Sequence, residues 1–238
     1  NRNYLWMLIG YFFLSLMLGL RGSLSLYMNT YFWDFTSEQI RWFVIGTISG
    51  YFSGFYLTAR LHERFDKRIV IIVTCFSLSL IPTIPTTLRL LGLAPQPGEA
   101  ALLPFVIAFA GLTAMANSTM TISVMSALAD IADQNELKHG HRQEGVLYST
   151  RALFSKLDVA VGQFIASLAL IVVAFPTKAS PGQVSQETLN HLGWIEGPAM
   201  LIPGLIATVF YARYRIDRQS HARTRSDLEA FRATRDRA

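Results

Sequence analysis

Six stretches of this chain run for 20 residues or more with few charges, and short polar segments divide them. They cover residues 4–33, 40–60, 69–93, 102–129, 146–175 and 192–211. The hydrocarbon core of a bilayer is about 30 Å thick, and roughly 20 apolar residues cross it as a helix. No water is present there, so each backbone group must bond within its own segment, which a helix achieves. The pattern predicts an all-α, polytopic membrane protein with six transmembrane helices. Charged residues make up 16% of the chain, against about 25% in soluble domains, which agrees.

The net charge of +5 would suggest nucleic acid in a soluble protein, but the excess gathers between residues 213 and 237. Membrane topology accounts for it, and no nucleic-acid partner is expected. Arg60, Arg64, Lys67 and Arg68 fill the second connection, and Lys138 and Arg142 the fourth. The positive-inside rule places both termini in the cytoplasm, as an even number of spans requires. Residues 216–238 read as a basic cytoplasmic tail. Leu228 and Phe231 share a face there, which suits either a helix on the anionic leaflet or a solvated tail. Cys75, the chain's one cysteine, excludes an internal disulfide and reads as an inert thiol in an apolar run. The chain opens at Asn1 with no methionine and no basic leader, so no signal peptide is read, and a piece of a longer protein is expected.

Within the spans, Gly46, Gly50 and Gly54 recur every fourth residue, a strip on which a neighbouring backbone can pack. Pro82 and Pro85 predict a bend in the third span. Trp6, Trp33, Trp42 and Trp194 lie near span ends, where interfacial belts form.

Ionisable groups inside spans point to function. Lys156 interrupts the fifth span at a cost of roughly 2.5–3.5 kcal/mol on insertion scales. It lies about ten residues from the span's start, ~15 Å deep and near the midplane, where transporter substrates bind. At 100° per residue, Tyr148, Ser155, Lys156, Gln163 and Ser167 fall within an arc of roughly 120°, a polar stripe that should face water. Arg151 and Asp158 share a different face, seven residues apart. Asp158 is expected to pair with another helix, with Arg21 of the first span as one candidate. Asn117, at mid-span in the fourth stretch, is a candidate for ligand contact or for joining helices.

The fourth connection carries Ala129, Asp130, Asp133, Glu136, Gly140, Arg142 and Glu144. Asp130, Asp133 and Glu136 are spaced by three and share one face of a helix end, with Gly140 as its stop. Lys138 and Arg142 can pair with these acids, and making and breaking such pairs can gate an opening. This string resembles the glycoside–pentoside–hexuronide:cation symporter family of the major facilitator superfamily. The resemblance continues through Tyr148 and Ser149 to Lys156, where that family carries a functional lysine eight residues after the tyrosine. It extends to residues 210–215 at the last helix exit and to the basic loop at residues 59–68.

That resemblance implies the C-terminal half of a twelve-helix transporter. Such a protein moves a sugar or related solute with Na⁺ or H⁺ by alternating access and needs no cofactor. Its partners would be the solute, a monovalent cation, the lipid bilayer and the N-terminal six-helix half, which supplies the cation ligands. A bacterial cytoplasmic (inner) membrane is the expected location. Substrate or coupling contacts would come from Lys156, Tyr148, Gln163, Asn117, Arg21 and Asp158. Asp130, Asp133, Glu136, Arg142 and Glu144 would form the cytoplasmic gate. Asp158 and Arg21 depart from the family pattern and leave the solute open, with lysolipid, zwitterion and organic acid as alternatives. A Mg²⁺-dependent prenyltransferase built on Asp130, Asp133 and Glu136 would need a second acidic cluster, which no other connection supplies. A scaffold or sensor derived from half a transporter is the remaining class. No nucleotide-binding or metalloprotease motif occurs.

Overall fold

The computed structural model describes residues 2–140, 144–176 and 179–235, without the side chains of residues 144, 154, 158, 159, 232, 234 and 235. The described residues are mostly helical and contain no strand. Helix α1 (Arg2–Tyr27) runs into a π-helical turn at Met28–Phe32, and α2 (Ser37–Ile40) follows behind a Thr36 capping box. Next come α3 (Phe43–Arg64), α4 (Lys67–Leu80), α5 (Thr83–Leu90) and α6 (Leu102–His139). The chain continues through α7 (Glu144–Val172), α8 (Gln186–Glu196), α9 (Leu201–Ala212) and α10 (Arg218–Arg235).

Five of these helical stretches are long and apolar enough to cross a membrane: Arg2–Phe32, Lys67–Leu90, Leu102–His139, Gly145–Val172 and Gln186–Ala212. Helix α3 matches the second stretch of the sequence but falls short of that apolarity, because glycines and Thr58 fill its packing face and serines and tyrosines are interspersed on the rest. The third stretch bends where proline predicts. Pro82 and Pro85 have no N–H to give, so α4 stops at Leu80 and α5 starts at Thr83. The hydroxyl of Thr83 donates to the Ser79 carbonyl at 2.9 Å, and Ile84 N–H turns back to Ile81 at 3.3 Å. The last stretch breaks at Gly197 and Pro198 between α8 and α9.

Residues 130–139 differ from the sequence expectation of a connection. They extend α6, which has 38 residues and an axial length of ~57 Å, well beyond a ~30 Å core. The stop lies where expected. Gly140 adopts φ 72°, and its N–H closes the helix on the Glu136 carbonyl at 2.8 Å.

Packing follows the small residues. The strip of Gly46, Gly50 and Gly54 lies directly on α6, where a Cβ at Gly50 would collide with the Gly111 carbonyl. A Cβ at Gly54 would sit 2.6 Å from the Met115 carbonyl. Gly162 brings α7 onto the backbone of Gly19 in α1 in the same way. The principal neighbours run in the order α7, α1, α9, α4, α6, α3. Helices α1 and α6 touch little, which leaves space between them. Met17, Leu24, Ile71, Leu78, Ile131 and Ala207 form the sealed core. Phe52, Tyr56, Ile171, Val172 and Ile202 point outward and stay exposed, as hydrocarbon-facing side chains do.

Helix α10 is docked against α6. Leu228 is buried, and Phe231 reaches toward Gly140. Asp217 starts this helix by accepting from Ser220 N–H at 2.7 Å, and that bond holds its carboxyl below the ordinary range.

Candidate functional site

The gap between α1 and α6 is closed on one side by α7 and forms a cavity of about 450 Å³. Tyr11, Ser15, Gly19, Gly22 and Ser23 line it from α1, and Asn117, Met120, Thr121 and Val124 from α6. Helix α7 contributes Arg151, Ser155 and Gln163, and α9 contributes Tyr211. From Tyr11 to Ser23 the wall rises ~18 Å along α1. A second cavity of about 380 Å³ lies between α1, α3, α5, α6 and α8. Leu18, Gly22 and Asn117 belong to both linings, so the two spaces meet at Asn117. That amide donates to the Tyr51 hydroxyl at 2.9 Å.

The hydroxyls of Ser15, Ser23 and Thr113 along these walls bond back to their own helix. Ser23 donates to Gly19 at 2.8 Å, and Thr113 to Phe109 at 2.8 Å. In an apolar span this satisfies the donor while leaving oxygen lone pairs toward the cavity.

The polar stripe of α7 is rotated from its expected position. Arg151 defines the wall, although it was assigned to a different face. Ser155 and Gln163 share that wall with it. Lys156 stands one residue, or 100°, beyond Ser155 and is exposed outside both linings. Tyr148 is half-buried against the core. The side chain of Asp158 lies outside the described residues.

Arg21 has a partner other than the one expected. Its Nη1 meets Glu196 Oε1 at 2.7 Å, and its Nη2 donates to Thr83 Oγ1 at 2.7 Å. Thr86 donates to the other oxygen of Glu196 at 3.0 Å. This buried network ties α1 to α5 and α8 and forms part of the second cavity's wall. Glu196 was missed because it stands just inside the start of the sixth stretch, yet a carboxylate there was the natural counter-charge for Arg21. Trp33 was read as an interfacial residue. It is 4% exposed and lines the second cavity.

Asp130, on the acidic face of α6, is held from other elements. Lys67 at the start of α4 meets both oxygens of Asp130, at 2.8 and 2.9 Å. His221 of α10 stands 3.4 Å from the same carboxylate. Asp130 is therefore engaged with a cation of the protein, which removes one ligand of the Mg²⁺ alternative. Glu136 is buried and Asp133 half-buried on the same helix. Arg142 and the side chain of Glu144 lie outside the described residues.

Around Asp130 is a small cavity of about 70 Å³ lined by His62, Lys67, Asp217, Arg218 and His221. His62 bonds Ser123 at 2.9 Å. Burial, with Lys67 and Arg218 nearby against an opposing Asp130, pushes the His62 imidazole below its ordinary pKa. Burial and the Asp130 charge push the Tyr214 phenol up. Arg218 donates to the His62 carbonyl at 2.6 Å, which clamps α10 to the end of α3.

The model of the MFS/sugar transport protein family matches residues 1–218. A lactose permease of Lactobacillus delbrueckii subsp. bulgaricus is 23% identical over 96% of this chain and 35% of its own length. A raffinose carrier protein of Pediococcus pentosaceus is 24% identical over 96% of this chain and 34% of its own. An uncharacterized symporter of Synechocystis is 31% identical over 57% of this chain and 25% of its own. The chain thus spans about a third or less of the length of these relatives. With a helical bundle whose spans are apolar enough to cross a membrane and this match over nearly its whole length, the chain belongs to the MFS/sugar transport protein family.

Proposed function

We propose that this chain is the C-terminal six-helix half of a twelve-helix carrier that moves a sugar together with Na⁺ or H⁺ by alternating access. It is a transporter and not an enzyme. Helix α3 is the sixth span. Both ends face the cytoplasm, because the basic residues cluster between α3 and α4 and after α9. The membrane is a bacterial cytoplasmic one. The observation that carries this reading is the pair of cavities meeting at Asn117 between helices whose outer faces are apolar. A carrier needs such a polar space inside an oily bundle. The names of the lactose and raffinose relatives support a sugar as the solute.

On this reading Asn117, Gln163 and Tyr148 meet solute hydroxyls. Lys156, exposed beside the cavity wall, faces the other half and the coupling carboxylates expected there. Arg21 with Glu196 braces the outer side of the path. Asp130, Asp133, Glu136, Arg142 and Glu144 form the cytoplasmic gate, with Lys67 exchanging contacts as it moves. The full-length transporter in proteoliposomes is expected to accumulate labelled lactose, raffinose or melibiose against a gradient when Na⁺ or H⁺ is imposed. Lys156→Ala should abolish accumulation and leave insertion intact. Absence of gradient-driven uptake for any sugar would remove the reading, and Mg²⁺-dependent diphosphate release would replace it with the prenyltransferase.

A further inference from the structure

We infer that the π-helical turn ending α1, helix α5 and helix α8 form one lid over the second cavity. It is hinged where those helices break and pinned there by Arg21 and Glu196. The inference rests on the transport reading above and names the part of this half that moves on the outer side. The three pieces pack on one another. A Cβ at Gly193 of α8 would sit 2.6 Å from the Phe32 ring of the π turn and 3.1 Å from Leu90 of α5. The Arg89 guanidinium of α5 lies 4.4 Å over Phe32 and 5.2 Å over Trp33. The inner helices form a body of their own, in which a Cβ at Gly204 of α9 would collide with Ser79 of α4. Between the lid and the α3–α6 pair lies the cavity of about 380 Å³. Asn29, Thr86 and Glu196 face it from the lid, and Thr47 and Thr113 from the opposite wall.

Each piece joins the inner body where helical hydrogen bonding is interrupted. Pro82 cannot give the N–H that the Leu78 carbonyl would take in a continuous helix. Gly197, at φ −88° and ψ −102°, leaves helical geometry, and Pro198 follows it without an N–H. At the end of α1 the Trp33 N–H passes to the Met28 carbonyl at 2.8 Å, the wider π spacing. Missing and displaced bonds make these the places where a helix tilts at least cost. The breaks below α5 and α8 stand side by side, because the Thr83 hydroxyl lies 3.3 Å from the Gly197 carbonyl. The two helices therefore share one axis of tilt. Arg21 reaches that axis from α1 and bonds Glu196 on α8 and Thr83 on α5, while Thr86 donates to the other Glu196 oxygen. A buried ion pair is costly to part, so the pin favours two discrete positions over a gradual slide. The Arg21 Nε meets no acceptor among the described residues, so the pin is not saturated. Tilting the lid away from α3 and α6 opens the second cavity outward and, past Asn117, the first.

Amide hydrogen exchange on the purified full-length transporter tests the lid. In the wild type, residues 28–32, 83–90 and 186–196 should share one opening, with protection agreeing within about three-fold and roughly ten-fold or more below that of residues 67–80 and 201–212. Thr83→Val keeps the side chain's size and removes the hydroxyl between the two breaks. It should speed exchange in all three pieces by about ten-fold and leave residues 67–80 and 201–212 at the wild-type rate. Glu196→Gln should do the same. A cysteine at Thr47, on the far wall, should react with an impermeant thiol reagent about five-fold faster when Thr83→Val is added. Independent opening of the three pieces overturns the inference. So does acceleration spread evenly over every span, which a purely structural ion pair predicts, or acceleration confined to residues 186–196. An unchanged rate at Thr47→Cys overturns it too, because the opening would not reach the cavity. The wild-type comparison needs no variant, so poor folding of Glu196→Gln leaves the test intact. Gradient-driven sugar uptake with independent opening would leave symport standing and sink the lid. A common opening without such uptake would do the reverse.

Discussion

At the residue scale, the Arg21–Glu196 pair illustrates why a charge inside a span needs a partner on another helix. Each group is almost out of reach of solvent, and Thr83 and Thr86 add one hydrogen bond each to the pair. Glu196→Ala should lower stability by roughly 3–5 kcal/mol, because it strands the guanidinium, while Arg21→Met with Glu196→Leu should cost much less. Thermal unfolding of the purified protein reads the difference, and equal losses would show that Arg21 finds another acceptor. His62 sets a pH dependence. Its folded pKa lies below the unfolded value of about 6.5, so the native state binds fewer protons in that window. Its contribution is therefore present above pH ~6.5 and is lost as pH falls from there through the folded value. Lys67, Asp130, Arg218 and His221 surround it, so the test compares the wild type with His62→Gln between pH 8 and 5. The variant should lose less of its unfolding temperature on acidification.

At the element scale, α3 is held by shape more than by oiliness. Its glycine face meets the α6 carbonyls, and any added atom must push two backbones apart. Gly50→Ala is expected to destabilise by roughly 1–3 kcal/mol through overpacking. Gly145→Ala, which meets open space, should stay within about 0.5 kcal/mol of the wild type. A Gly50→Ala protein with an unchanged unfolding temperature would mean that α3 can slide. Helix α10 depends on a few contacts at one end of the bundle, namely Arg218 to the α3 carbonyl, His221 to Asp130 and the buried Leu228. Leu228→Asp should undock it, read as at least ten-fold faster amide exchange over residues 218–235 with the spans unchanged.

At the scale of the whole molecule, the arc of helices from α7 round to α3 has an oily outer surface and a polar seam within. That arrangement makes a labelling prediction. Cysteines placed at Gln163 or Asn117 should react with a membrane-impermeant, water-soluble thiol reagent, and cysteines at Phe52 or Ile171 should not. Native Cys75 has no exposed surface and should not compete for the reagent. Labelling at Phe52 as fast as at Gln163 would turn the bundle inside out.

What the amino-acid order determined by itself was length and periodicity: where helices run, where Pro82 and Gly140 interrupt or end them, and which face of α3 carries no side chains. These are local consequences of hydrogen bonding in an apolar medium and of missing N–H groups or Cβ atoms, so they are written in neighbouring residues. The tertiary structure decided everything that depends on how a helix is rotated and what stands across from it. A stripe drawn at 100° per residue carries an arc of uncertainty as wide as one residue. That width separates Arg151, which lines the cavity, from Lys156, which stands outside it. Partner choice was equally out of reach, because Glu196 lies 175 positions from Arg21 and Lys67 lies 63 from Asp130. Charge pairing is a property of distance through space, and only packing brings those distances into being.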